Sequence, residues 1–290
     1  IRVSLTGEGY TGSVGLEAIV RDLLGSLSTA VAIIFALLVF LFGSWRLGLL
    51  SIPPNVIPLV GTMAWMSMRG IRLNAATVIV LRDRHNDPSI LMGQRGANAA
   101  FMPNKFVFPG GKVDPGDSRI KPPHDLHPTV MKRLMKGCSE TRARALAMAA
   151  IRETYEETGL VLGEPNTPTI KTRSPHWQDF LQHDINPKLD TLSVIARAIT
   201  PPYRNRRFDA RFFMGEADLI QGDVHAKPEG SGELLELHWV SLKDAQSLEL
   251  PNITRMVLGE VEKRLAGEYS HADEGPFVRF RHGKPDIGKI

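Results

Sequence analysis

The chain has 290 residues, 43% hydrophobic and 23% charged, an ordinary globular composition long enough for two domains. Its net charge of +4 is too small and too dispersed for a nucleic-acid-binding surface, so no nucleic-acid partner is expected. A single cysteine, Cys138, excludes an internal disulfide and a cysteine zinc cluster.

Residues 1–25 read as a short polar or amphipathic lead-in. The run LSTAVAIIFALLVFLFG, residues 27–43, carries no charge and is just long enough to span a bilayer core of about 30 Å, with Trp45 as an interfacial anchor. A second apolar run follows Arg46 over residues 47–66, made irregular by Pro53, Pro54 and Pro58. A membrane tolerates such a span where neighbours satisfy the backbone groups it frees. Residues 26–70 are therefore predicted as a transmembrane hairpin with the lipid bilayer as partner; a buried soluble helix followed by a Pro-rich loop is the alternative. Residues 1–77 also resemble a short membrane portion of resistance-nodulation-division type exporters, in the first helix, the loop with Ser44 and Arg46, the Pro-Asn helix and the segment through Leu73 and Asn74. The many helices and proton-relay acids of such a pump are absent, so the resemblance implies no transport. The exporter's orientation would leave the rest of the chain outside. The cationic side chains argue the other way: Arg21 before the hairpin and Arg69 and Arg72 after it outnumber Arg46 between its arms, which points to the cytoplasmic side. If residues 1–70 are not native to the rest of the chain, the expected location is simply cytoplasmic.

From Leu73 the pattern changes to short apolar strands divided by turns. ATVIVLRD (residues 76–83) and SILMGQR (89–95) read as two strands joined by a hairpin turn at RHNDP. KFVFPGGKVD is a short strand that breaks at Pro109-Gly110-Gly111. A helix is predicted over residues 140–158, with Leu146, Ala149, Ile151 and Tyr155 among its apolar positions and Gly159 just past its end. Further strands are expected at 192–199, 208–215 and 234–240, and a last helix at 253–266. Mixed strands and helices over residues 71–290 suggest one α+β domain.

The end of the 140–158 helix carries the chemistry. In AIRETYEETGL, residues 150–160, Glu153, Glu156 and Glu157 stand at i, i+3 and i+4 and share one helical face. Like charges so placed cost roughly 0.2–0.5 kcal/mol per pair, in a turn where the macrodipole favours cations. A divalent cation offsets that repulsion most simply, since Mg2+ takes oxygen ligands from one or two carboxylates and substrate phosphates. A solvated acidic patch, relieved by Arg152 pairing with Glu156, is the alternative. Gly110 and Gly111 upstream allow close backbone approach and could present carbonyls to a metal or amides to phosphate.

Together these residues resemble the Nudix hydrolase signature, Gly-x5-Glu-x7-Arg-Glu-U-x-Glu-Glu-x-Gly-U, where U is a bulky apolar residue. Gly111 begins it and RETYEETGL closes it. Three positions depart: Asp117 replaces the first Glu, Thr154 the first U, and the short spacer becomes residues 118–151, an insertion placed at about 118–145. The inserted Lys132, Arg133 and Lys136 are among cations that either help bind an anionic substrate or form a solvated surface. The long insertion, FMPNKFVFPGGKVDPGD and ITPPYRNRRFDARFFM are similar to the peroxisomal-type subgroup acting on coenzyme A derivatives. That subgroup's wider pattern matches in spacing from Leu91 through Arg95 to Phe108-Pro109-Gly110-Gly111, with Ala100 in place of its second Arg and Asn104 in place of its Gly.

The resemblance implies a Nudix-type α/β/α sandwich with a mixed sheet, preceded by a one- or two-helix membrane segment. It implies metal-assisted hydrolysis of a nucleoside diphosphate linked to another group, with coenzyme A or acyl-coenzyme A as candidate substrates and Mg2+ or Mn2+ as cofactor. Glu156, Glu157, Glu153 and the Gly111 carbonyl would hold the cation, Glu153 serving as ligand or base, and Arg152 would orient the glutamates. Arg95, Gly110, Arg207 and Arg211 are the candidate substrate contacts, although a solvated strand edge is the commoner fate of such arginines. Asp117, Glu216, Glu233 and Glu236 are unranked candidates for a further acid. The competing reading is a membrane transport or scaffold protein whose Nudix-like domain binds a nucleotide without catalysis; the intact Glu153, Glu156 and Glu157 favour catalysis.

Overall fold

The computed structural model describes residues 73–290 apart from 98, 100–101, 166–169, 203, 205–206, 225–227, 229–231, 268–269 and 282–283, together with residues 29, 35, 40 and 43–46. The chain divides into two units, Ile1–Ile71 and Arg72–Ile290. In the first, Thr29, Phe35 and Phe40 are helical, Gly43 turns with φ 60°, and Trp45 and Arg46 are helical again. The predicted lead-in at 1–25 and hairpin at 26–70 otherwise lie outside the described residues. Among the described residues, no helix is long and apolar enough to cross a membrane.

The second unit is built around β1 (Leu73–Arg82). Its side chains alternate between two cores: Ala76, Val78 and Val80 face one, Ile79 and Leu81 the other. Burial on both faces explains why this strand reads as a continuous apolar run. β1 pairs antiparallel with β2 (Ser89–Arg95) and β4 (Gly110–Lys112), and parallel with β8 (Phe208–Glu216). β7 (Ser193–Ile199) extends the sheet beyond β8, β10 (Pro276–Arg281) runs parallel to β7, and β11 (Lys284–Lys289) closes that edge. β3 (Phe106–Val107) and β9 (Leu234–Ser241) both pair with β2, so the sheet is mixed, as expected. β5 (Glu164–Pro165) and β6 (Ile185–Asn186) form a separate small pair.

Three helices cover the first core: α1 (Pro128–Met135), α2 (Glu140–Thr158) and α3 (Pro175–Leu181). After the short α4 (Leu242–Ala245), α5 (Asn252–Leu265) covers the second core with Val257, Leu258 and Val261. Helices therefore lie on both faces, giving the expected α/β/α sandwich. α2 forms where its sequence predicts. The Ser139 side chain caps it by accepting from the Arg142 amide, and Gly159 ends it at φ 74°. Its Leu146, Met148 and Ile151 are fully buried, at roughly 1.5–3 kcal/mol each.

One row across the sheet sets the position of the acidic turn's neighbours. Gly111 pairs with Ala76, Ala76 with Arg211, Arg211 with Arg197, and Arg197 with Phe277. Register partners share a face. Gly111 and Arg211 therefore flank Ala76 on the α2 side, about 10 Å apart at the usual strand spacing.

Candidate active site

The last two turns of α2 face β4, and glycine is required at both contact points. The Gly110 amide donates to Glu157 Oε2 at 2.8 Å. A Cβ at Gly111 would lie 2.3 Å from Glu153 Oε2, so a side chain there would occupy the space that the carboxylate uses. At Gly110 a Cβ would strike the Ala76 carbonyl oxygen at 2.5 Å, and φ is +152°. Gly110→Ala is thus expected to cost more stability than Gly111→Ala, because backbone cannot yield where a flexible Glu can. Gly111→Ala should instead cut turnover by displacing Glu153. Equal stability losses in denaturant titration would contradict this assignment.

Arg152 ties the carboxylates together. Its side chain is 3% exposed and donates Nε and Nη2 to the two oxygens of Asp117 at 2.9 and 3.2 Å. Nη1 donates to Glu156 Oε2 at 2.8 Å, while Nη2 also meets Glu153 Oε1 and the Lys112 carbonyl at 3.0 Å. Asp117 is fully buried and also accepts from Trp177 Nε1 at 2.9 Å and the Asp114 amide at 2.7 Å. It closes a capping box on the short turn that begins at Pro115. Glu156 Oε1 is buried and accepts no aligned hydrogen bond, although His176 Nδ1 of α3 lies 2.8 Å away.

Burial governs the electrostatics. It pushes Glu153 up to about 7 against the pull of Arg152, with Glu156 adding to the rise. It pushes Glu157 up to about 8, against the Gly110 amide, with Glu153 and Glu233 raising it and Arg95 lowering it. Desolvation opposes charge on Arg152, but Asp117, Glu153 and Glu156 outweigh it and hold the guanidinium well above its ordinary value.

No protein-family model matches the chain. It is 27% identical over 194 residues to the Caenorhabditis elegans protein named nudix hydrolase 7, covering 63% of this chain and 54% of that one. It is 25% identical over 179 residues to an acyl-coenzyme A diphosphatase of Xenopus laevis, covering 44% and 47% of the two chains. The chain thus spans about half the length of these curated relatives. The crystal structure of a Nudix hydrolase from Alicyclobacillus acidocaldarius superposes with TM-score 0.51 at 26% identity, covering 68% of this chain and 96% of that one. These likenesses support a Nudix-type pyrophosphatase. They lend no support to the exporter resemblance of residues 1–77.

The Nudix residues fall into two groups. Glu153, Glu156, Glu157, Arg152, Gly110 and Gly111 converge where α2 meets β4. Arg95, at the end of β2, joins them electrostatically through Glu157, and its Nε is buried without a hydrogen-bond partner among the described residues. Glu233 couples to the same carboxylate, which separates it from the other candidate acids. Glu216 pairs with Arg84 at 3.2 Å and stands opposite Leu81, five residues along β1 from Ala76, or roughly 17 Å at about 3.3 Å per residue. Glu236 sits at φ 49° in the irregular register between β2 and β9 and is exposed.

Arg211 is buried in an ion pair with Asp209 at 2.6 Å, beside Arg197, in a different cluster. Arg207 Nε reaches the Thr200 carbonyl at 3.4 Å. Asp117 serves as the anchor of Arg152, with its oxygens already engaged. Sequence reasoning missed His176 and Trp177. Ser174-Pro175 signals the start of their helix, but nothing in the signature's spacing places that helix against the turn.

The residues fit a small hard cation: buried carboxylates held above their ordinary proton affinity, with a glycine loop leaving room beside them. Among the described residues, no group of three His, Cys, Asp or Glu side chains forms a ready-made cage. Without cation, raising the pH should destabilise the fold. The unfolded carboxylates ionise near 4.5, whereas the folded ones hold protons to about 7 and 8. The contribution of these two carboxyls is therefore fullest below about pH 4.5 and is lost as pH rises toward 8, by an amount on the order of a few kcal/mol. Melting in chelator at pH 5.5 and 8 measures this, and Mg2+ should restore the loss. A chelated melting temperature that rises over that interval would refute it.

Proposed function

We propose that the chain hydrolyses a diphosphate bond in a nucleoside diphosphate linked to another group, with Mg2+ or Mn2+ held by Glu157, Glu153, Glu156 and the Gly111 carbonyl. The observation that carries this is the burial of Glu153 and Glu157 against the Gly110-Gly111 loop, where each holds its proton far above the usual carboxylate range. When bound, the cation polarises phosphoryl oxygens and lowers the pKa of a coordinated water. Glu153 serves as a ligand of the cation or as the general base. Arg152 keeps the glutamates in register from behind. Arg95 offers its unpartnered Nε to a phosphate oxygen. Glu233 is the further acid from outside the signature.

Coenzyme A or an acyl-coenzyme A is the substrate class to test first. The spacing from Leu91 to Gly111 supports it, as does the name of one relative. So does Asn104, which stands where the coenzyme A pattern has Gly. It adopts φ 58°, the left-handed conformation that Asn tolerates best after Gly. The test is Mg2+-dependent hydrolysis of coenzyme A, acyl-coenzyme A, ADP-ribose, NADH and nucleoside triphosphates. Turnover is expected, highest on the first two. Nucleotide binding with no turnover on any of them would favour a non-catalytic nucleotide-binding role instead.

A further inference from the structure

A cavity with a mixed apolar and cationic lining lies toward the other end of α2. It has a volume of about 180 Å3, and its lining includes Arg133 and Lys136 from the insertion, Arg197 and Arg211 from the sheet, Phe277 and Lys289. Cys138, just before α2, feels the charges of both Arg211 and Arg197. Fourteen residues separate Ser139 from Glu153, about 21 Å at 1.5 Å per residue, while Arg211 on the cavity wall is two strands, about 10 Å, from Gly111 beside the acidic turn.

The charge balance there is one-sided. Asp209 engages Arg197 and Arg211, and Glu274 reaches Lys136 at 3.8 Å and Lys289 at 3.4 Å. Asp273 also acts electrostatically on Arg133, so among the described side chains five lining cations meet three carboxylates, with Ile290 also on the lining. Arg264 stands behind Arg133 as a further cation, engaged by Glu260.

Arg133 is the telling residue. It is 7% exposed, and its Nη1 donates to the His271 carbonyl at 3.0 Å. Its Nε and Nη2 are buried with no hydrogen-bond partner among the described residues. Those two donors form one edge of the guanidinium fork. The same edge grips Asp117 in Arg152 and Asp209 in Arg197. A buried charged donor left unsatisfied is costly, so an oxyanion that this guanidinium turns to meet would relieve a standing cost.

We propose that this cavity binds a phosphate group, through Arg133 with Lys136 and Lys289 at the rim, independently of the divalent cation and of the acidic turn. The volume is smaller than the roughly 300–1,000 Å3 of pockets that enclose drug-sized ligands, which favours a small anion or the terminal phosphate of a larger one.

Calorimetric titration of the full chain in chelator tests this, with inorganic phosphate in one arm and AMP in the other. Saturable binding is expected in at least one arm, and which one responds tells a lone phosphate from a phosphomonoester group. Arg133→Gln should weaken it at least about tenfold and Lys136→Gln with Lys289→Gln about threefold, while Glu157→Gln leaves it unchanged. If Arg133→Gln does not fold, the double lysine variant, whose side chains are 59% and 78% exposed, carries the test. Three outcomes overturn the proposal: no saturable binding of either probe at millimolar concentration, affinity unaltered in the folded variants, or loss of binding in Glu157→Gln.

Discussion

Glu157→Gln is expected to lower turnover roughly 10²–10⁴-fold while making the cation-free protein more stable. The side chain is 3% exposed and its Oε2 accepts from the Gly110 amide, a bond that the Gln carbonyl can keep. The substitution therefore removes a buried charge without leaving the Gly110 amide unsatisfied. At pH 8, where the wild-type carboxyl is half ionised, relief of that burial is worth on the order of a few kcal/mol, or roughly 5–10 °C in melting temperature for a domain of this size. Function and stability then move in opposite directions, which a purely structural acid would not do. Addition of Glu156→Gln should deepen the loss of turnover. Unchanged activity in the double variant would refute the cation assignment, and a lower melting temperature for Glu157→Gln alone would refute the account of its burial.

The parts of this fold legible in the sequence are those whose signals are local. α2 is bounded by Ser139 and Gly159, and its predicted limits match the observed Glu140–Thr158. The turn between β1 and β2 lies where RHNDP falls, and β2 matches SILMGQR. The elements missed depend on tertiary partners. α1 lies inside the insertion, which reads equally as an aid to anion binding or a solvated surface excursion, and Val130 and Leu134 are buried in the first core. The β10–β11 hairpin has no apolar alternation in KPDIGK, and β10 is held by pairing with β7 instead.

The site divides in the same way. The signature's spacing brings the three glutamates, Arg152 and the two glycines together, because all lie on one helix or on the strand beside it. Arg211 and Arg207 look alike in sequence, yet the sheet register turns Arg211 toward Asp209 and Arg197. Among Glu216, Glu233 and Glu236, spacing provides no ranking, since the distance to Glu157 is set by where β8 and β9 enter the sheet.

Arg152→Met should cost about 3–5 kcal/mol of stability, roughly 10 °C in melting temperature, and weaken cation affinity or turnover about 10–100-fold. Arg152 serves three carboxylates at once, and its loss leaves Asp117 as a buried charge with Trp177 Nε1 and the Asp114 amide as its remaining donors among the described residues. Glu153 and Glu156 lose their shared cation in the same step. Arg152→Lys should rescue little, because an ammonium cannot present the paired donors that span the two Asp117 oxygens. The decisive comparison adds Asp117→Asn to Arg152→Met. If the main cost is an unpaired buried carboxylate, neutralising it should recover part of the lost stability, and the double variant should be less impaired than the sum of the two single ones. Turnover should not recover with it, since Glu153 and Glu156 still lack the side chain that holds them. Strictly additive stability losses would mean that the pair is not coupled, and recovery of turnover would mean that Arg152 does not act by positioning the glutamates.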